Sequence, residues 1–175
     1  MISKPRVTFV RHAMPVVDET VPSSQWPLSE EGRLAARGLA ALLHLSADDW
    51  VLSSAEVKAR ETAEVLSQHV DVDPRLGEVK RPWISDNYRR LAETWLQGGP
   101  VEGWEAKPSA VDRMASAVTE ATQKGDHSVC LVTHGLIMSA YLETVADIEP
   151  VTFWSQLQFP DARTLDPRTR QVHKP

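Results

Sequence analysis

Two residue pairs carry the most telling chemistry in this chain: Arg11-His12 and His134-Gly135. Each follows a short apolar run that reads as a buried strand, Val7-Thr8-Phe9-Val10 before the first and Val129-Cys130-Leu131-Val132 before the second. In a parallel α/β sheet, ligand sites form beyond the carboxyl ends of the strands. Two histidines at two such ends, one beside an arginine, describe a pocket for an anion. One imidazole could attack a phosphoryl group there while the other helps to hold its oxygens.

Each residue has a plainer reading. A neutral imidazole is a good nucleophile when its second nitrogen donates to a backbone carbonyl, and a neighbouring cation helps to keep it neutral at pH 7. Yet His12 alone could equally be a strand-end histidine that packs or caps. His134 alone could be incidental beside a turn glycine, although Gly135 permits close backbone approach and the helix behind it favours an anion. Two such junctions in one chain weaken both plain readings together. Ser53-Ser54 closes a third strand, and Lys58 lies about one helical turn beyond, where its ammonium could point at the same strand-end pocket, although for Lys58 alone a solvated helix face is the leading reading. Arg60 points about 200° away from Lys58 around the helix, and Glu64 four residues on offers it a surface partner. Cys130 sits in an apolar strand with Leu136 six residues later, where a cysteine phosphatase needs arginine, so it reads as core. The histidines lack the close helical spacing of a zinc hydrolase, and neither a P-loop nor a dinucleotide glycine fingerprint is present.

The elements that must position these groups alternate between strand and helix. After the strand at 7–10, three prolines between Met14 and Pro27 indicate a loop. Ser29 reads as the N-cap of a helix, with Glu30 and Glu31 in its first turn, that ends near Leu45 and buries Leu34, Ala35, Leu39, Leu42 and Leu43. Trp50-Val51-Leu52 is a short buried strand, followed by a helix from about Ala55 to Gln68 with Ala59, Ala63 and Leu66 inward. Asp71 to Ser85 is a proline-interrupted loop with room for one short strand. A helix over Asp86–Leu96 is stopped by Gly98-Gly99, and Gly99–Pro108 is loop. Ser109 caps a helix through Val111, Met114, Val118 and Ala121 to a C-terminal glycine at Gly125. The strand to Thr133 and a helix from Gly135 to about Ala146 follow. Phe153-Trp154 and Gln156–Phe159 read as an edge strand or a docked turn, and the polar end, Asp166–Pro175, is expected to fray. The fold class is therefore α/β: a three-layer α/β/α sandwich with a mainly parallel central sheet, formed by one domain spanning residues 1–175.

Composition narrows the partners. A net charge of −5 argues against a nucleic-acid surface, which needs a basic face, but leaves room for a small phosphorylated substrate bound in a local basic pocket. No segment reads as a signal peptide or a membrane span. The single cysteine fits a reducing compartment, and the expected location is cytoplasmic. Oligomeric state is not legible.

Five motifs then fall in the order of a known family. Val10-Arg11-His12-Ala13 resembles the Arg-His-Gly signature of the histidine phosphatase superfamily, in its phosphoglycerate-mutase-like branch. Pro27-Leu28-Ser29-Glu30-Glu31-Gly32 is similar to the family's Leu-Thr/Ser-x-x-Gly helix start. Ser53-Ser54 with Lys58-Ala59 and Glu61-Thr62-Ala63 resembles its Ser-Ser…Arg-Ala-x-x-Thr-Ala helix, Arg75-Leu76-Gly77-Glu78 its Leu-x-Glu segment, and Thr133-His134-Gly135 its second histidine motif. The resemblance implies that His12 is the nucleophile and becomes phosphorylated. It also implies that Arg11 and His134 bind phosphoryl oxygens and that Glu78 is the proton donor; no metal or organic cofactor is implied.

Three departures stand out. Ala13 replaces glycine. Lys58 replaces a phosphate-clamping arginine, keeping the charge but not the two-pronged geometry, and Arg81 is near enough to Glu78 in sequence to supply a compensating guanidinium. The chain is also shorter than mutases of the family. The implied function is a phosphomonoesterase working through a phosphohistidine. The alternatives are a phosphoglycerate mutase, a protein phosphohistidine phosphatase, or a weakly catalytic phospho-ligand binding protein. Substrate choice is expected to rest on Trp83, the loop from Gly98 to Trp104, and the tail near Trp154.

Overall fold

The computed structural model describes residues 6–124 and 127–175. A six-stranded sheet has the order β3-β2-β4-β1-β5-β6. Its strands are β1 (Val7–Arg11), β2 (Trp50–Ser53), β3 (Asp71–Val72), β4 (Val129–Thr133), β5 (Asp161–Asp166) and β6 (Gln171–His173). The first four are mutually parallel, and β5 and β6 add an antiparallel hairpin beside β1. Helices α1 (Glu30–Leu43) and α2 (Val57–Leu66) cover one face; α3 (Tyr88–Leu96), α4 (Lys107–Gln123), α5 (Gly135–Val145) and α6 (Pro150–Ser155) lie on the other.

The alternation of strand side chains builds both cores. Phe9, Leu52, Val129 and Leu131 pack toward α3–α6, while Val10, Val51, Cys130 and Val132 meet Leu39 and Leu43 of α1 and Ala59 and Ala63 of α2. A strand covered on both faces must be apolar throughout, which is why β4 reads as an unbroken hydrophobic run. The fold is the three-layer α/β/α sandwich expected of strands alternating with helices. Among the described residues, no helix is long and apolar enough to cross a membrane.

Four local expectations need correction. Leu34 and Leu42 are each 68% exposed, and α1 instead buries Gly32, Ala36, Leu39 and Leu43. Its small residues decide this: a Cβ on Gly32 would lie 2.2 Å from the Met14 carbonyl oxygen, so the helix turns its Gly32–Ala36 edge onto that loop. Ser29 does cap α1, accepting from the Gly32 amide at 3.0 Å. Helix α4 starts at Lys107 rather than after Ser109; Pro108 takes a first-turn position, where its fixed φ fits and its missing N–H leaves nothing unmet. The expected glycine stop, Gly125, lies outside the described residues. Phe153 and Trp154 belong to α6, and the chain end pairs as β5–β6 rather than fraying, because its alternating residues complete the sheet edge beside β1.

Candidate active site

Parallel register aligns three strand ends. Arg11 of β1 stands opposite Thr133 of β4, and Ser53 of β2 opposite Val132. Just past these ends the His12 amide donates to Thr133 O at 3.0 Å and the Ser54 amide to Val132 O at 2.9 Å. His12, Ser54 and His134 are thereby brought together, and the two histidines line a cavity of about 650 Å³. Arg11, His12, Lys58, Glu78 and His134 all line it. Arg60 does not; it is exposed and faces Glu64 at 3.7 Å.

The two imidazoles lie edge to face, with ring centroids 5.0 Å apart. His12 Nδ1 is 2.7 Å from the Ala13 carbonyl oxygen. A carbonyl only accepts, so Nδ1 carries the proton, and the neutral ring keeps its lone pair on Nε2. Burial pushes the His12 pKa well below the ordinary histidine value, and His134, Lys58 and Arg11 push the same way. The backbone at this point is held by α2: the Ala13 amide donates to Thr62 Oγ1, which donates to Lys58 O. The Ala13 methyl group is buried against Leu28 and Ala36, so alanine fits where the family resemblance has glycine. His134 is fully buried, with Nε2 2.8 Å from Ser54 Oγ and Nδ1 without a partner among the described residues. Burial, then Lys58, Arg113, Arg11 and Arg81, hold its pKa well below the ordinary value.

Arg11 donates from Nη1 to Leu157 O at 3.0 Å, and its guanidinium carbon sits 3.4 Å from the centroid of the Phe159 ring. Burial is the main reason its pKa falls to about 10. The guanidinium fits because Gly135 has no side chain: a Cβ there would lie 2.9 Å from Arg11 Nε. Glu78 occupies the N-terminus of α5. Its carboxylate accepts from the amides of Leu136 at 3.2 Å, Ile137 at 3.0 Å and Val79 at 3.0 Å, where the helix dipole favours an anion. The loop beneath is pinned by Arg113 of α4, which donates to the carbonyls of Arg75, Gly77 and Glu78 and pairs with Glu105.

Lys58 reaches the cavity, with its ammonium already engaged. It donates to Ser23 O at 2.6 Å and to Glu56 Oε2 at 2.5 Å. Arg81 also lines the cavity, its guanidinium carbon 4.4 Å from the Tyr88 ring centroid and 5.2 Å from that of Trp104. The outer walls come from Met14, Trp26, Trp83 and Phe159. Trp83 is 43% exposed and meets Trp26 edge to face at 4.7 Å. The Gly98–Trp104 loop and Trp154, by contrast, do not line this cavity. They back it indirectly through Tyr88, which stacks on Trp104 and meets Trp154 edge-on.

Glu56 and Arg113 escape sequence reasoning. Glu56 has a faint signal, lying two residues from Lys58 in the strand-to-helix turn. Arg113 has none, because only tertiary contact brings α4 under the 75–78 loop. Among the described residues, no cluster of three or more histidine, cysteine or acidic side chains could hold a metal ion.

The family model described as Histidine phosphatase superfamily (branch 1) matches residues 7–164. No curated protein matches the sequence. Several solved structures share the fold. Mycobacterial glucosyl-3-phosphoglycerate phosphatase is 20% identical with a TM-score of 0.73, covering 97% of this chain and 96% of its own. A putative alpha-ribazole-5'-P phosphatase from Escherichia coli is 19% identical with a TM-score of 0.70, covering 98% and 96%. TTHB049 from Thermus thermophilus is 21% identical with a TM-score of 0.65, covering 96% of each chain. At these identities the likeness speaks to the fold.

Proposed function

Because the chain belongs to the histidine phosphatase superfamily, branch 1, and so to the phosphatases, we propose that it hydrolyses a small phosphomonoester through a phosphohistidine on His12. The observation that carries this reading is the state of His12: a neutral ring with Nδ1–H tied to the Ala13 carbonyl and Nε2 left as a nucleophile, on a cavity shared with Arg11 and His134.

In the first step His12 Nε2 forms a bond to phosphorus while the ester P–O bond breaks. Arg11 and His134 hold the phosphoryl oxygens, and Glu78, which must carry a proton when this step begins, gives it to the departing alkoxide. In the second step water loses a proton to Glu78 and attacks phosphorus. The N–P bond breaks, inorganic phosphate leaves and His12 is restored. To act in either step the Glu78 carboxyl must exchange one of its amide contacts on α5 for the leaving group or the water.

A cavity of about 650 Å³ is within the range that takes a small organic molecule, so it has room for more than the phosphoryl group. Two structural neighbours are named for glucosyl-3-phosphoglycerate and alpha-ribazole-5'-P, which supports a small phosphorylated substrate here.

The test is phosphate release from a panel of phosphorylated metabolites and p-nitrophenyl phosphate. His12→Ala should abolish release and leave thermal unfolding cooperative. Trapped phosphoenzyme should be acid-labile and alkali-stable, as a phosphoramidate is. Undiminished turnover in His12→Ala would rule the mechanism out, and a panel without turnover would leave a phosphate-binding protein instead.

A further inference from the structure

One carboxylate in the cavity has no part in the two steps above. Glu56 stands at the N-cap position of α2 but makes no side-chain capping bond. Its side chain turns into the cavity instead. There Oε2 lies 2.5 Å from Lys58 Nζ, and Oε1 accepts the Glu78 amide at 2.9 Å and lies 3.5 Å from His134 Nε2. The Lys58 and Glu56 side chains are only 8% and 16% exposed, so water screens this pair weakly.

We propose that Glu56 is a positioning residue that competes with the phosphoryl group for Lys58 and so weakens the hold on inorganic phosphate, the reaction's product. The proposal rests on the phosphatase reading. An ammonium has three N–H donors; Glu56 and the Ser23 carbonyl take two, and one is left for a phosphoryl oxygen. The charges of the closed pair cancel, so an arriving dianion is drawn by Arg11 and Arg81 rather than by Lys58. To gain more from Lys58, the anion must push Glu56 aside. Lys58 and Glu56 thus work as a matched unit, and Lys58 is more than a weaker arginine. A phosphatase gains from this arrangement because a loosely held product leaves sooner. Glu56 also holds the Glu78 backbone, which ties the proton-donor loop to the same pair.

Glu56→Gln separates these roles. The glutamine oxygen can still accept the Glu78 amide, but its –NH₂ would face the Lys58 ammonium, donor against donor, and the pair opens. Calorimetric titration with inorganic phosphate should then show about tenfold tighter binding, or ~1.4 kcal/mol. KM should fall, without a matching rise in kcat, because product leaves more slowly. The gain must depend on Lys58: in a Lys58→Met background, Glu56→Gln should change phosphate affinity less than about threefold, as expected when one partner of a coupled pair is gone. Glu56→Asp retracts the carboxylate by one methylene and should shift affinity in the same direction, so the idea stays testable even if the glutamine variant fails to fold. Unchanged or weaker phosphate binding in these variants, with wild-type turnover intact, overturns the proposal. Absent wild-type turnover counts against the phosphatase reading instead, since the phosphate titration needs no catalysis.

Discussion

Acidification offers a direct measure of the two buried imidazoles. His12 is 6% exposed and His134 0%, and burial, reinforced by neighbouring cations, holds both pKa values well below the ordinary one. In the unfolded chain both should titrate near ~6.5. Below that pH the unfolded state binds a proton at each ring and the native state does not. Stability is therefore fully present above about pH 6.5 and is lost as pH falls toward the folded-state values. Each ring contributes a slope of about 1.4 kcal/mol per pH unit once the unfolded histidine is protonated. For as long as both rings stay neutral in the fold, each further unit of acidification weighs against the usual ~5–15 kcal/mol of a folded domain. The depressed carboxylates of Asp73, Glu105 and Glu120 act in the same direction, but their unfolded forms titrate near ~4, so the span from pH 6.5 to 5 belongs to the imidazoles. Urea unfolding at close pH intervals between 7.5 and 5 should show a proton uptake on unfolding that rises from near zero toward about two. His12→Asn and His134→Asn should each lower that by about one. A flat profile in this window, or a slope that neither substitution changes, would refute the inference that both rings are buried neutral.

Two further substitutions test the site. Glu78→Gln should slow alkyl phosphates by about 10²–10⁴-fold, the usual contribution of a general acid, and slow p-nitrophenyl phosphate much less; equal losses on both would move the proton donor elsewhere. It should also cost on the order of 1 kcal/mol in stability, measurable by denaturation, because the glutamine –NH₂ replaces one of the two oxygens that accept from the α5 amides and cannot accept in its place. Gly135→Ala places a methyl carbon 2.9 Å from Arg11 Nε and 3.1 Å from its Cζ, so the Arg11 side chain must shift from its present position. Weaker inorganic phosphate binding in titration, with a stability loss of about 1–3 kcal/mol at most, is the expected result; unaltered affinity would mean that Arg11 does not hold the anion.

Much of this was local and therefore legible. The apolar run of β4, the Ser29 cap and the polar residues just past three strand ends follow from short-range chemistry. The chain order of Arg11-His12, Lys58, Glu78 and Thr133-His134-Gly135 is enough to indicate the family and the three-layer fold. The neighbours those residues have were not legible. Which edge of α1 is buried depended on how closely Met14 approaches Gly32. The pairing of β5 with β1 joins residues far apart in the chain, and the same holds for Arg113 beneath the 75–78 loop. Lys58 shows the division most clearly. Its position in the sequence put a cation at the strand-end cavity, but whether that charge is free depends on Glu56 and Ser23. Propensity and periodicity act over a few residues, whereas the field at a side chain is set by whatever the folded backbone brings within a few ångströms, and only the tertiary structure decides that.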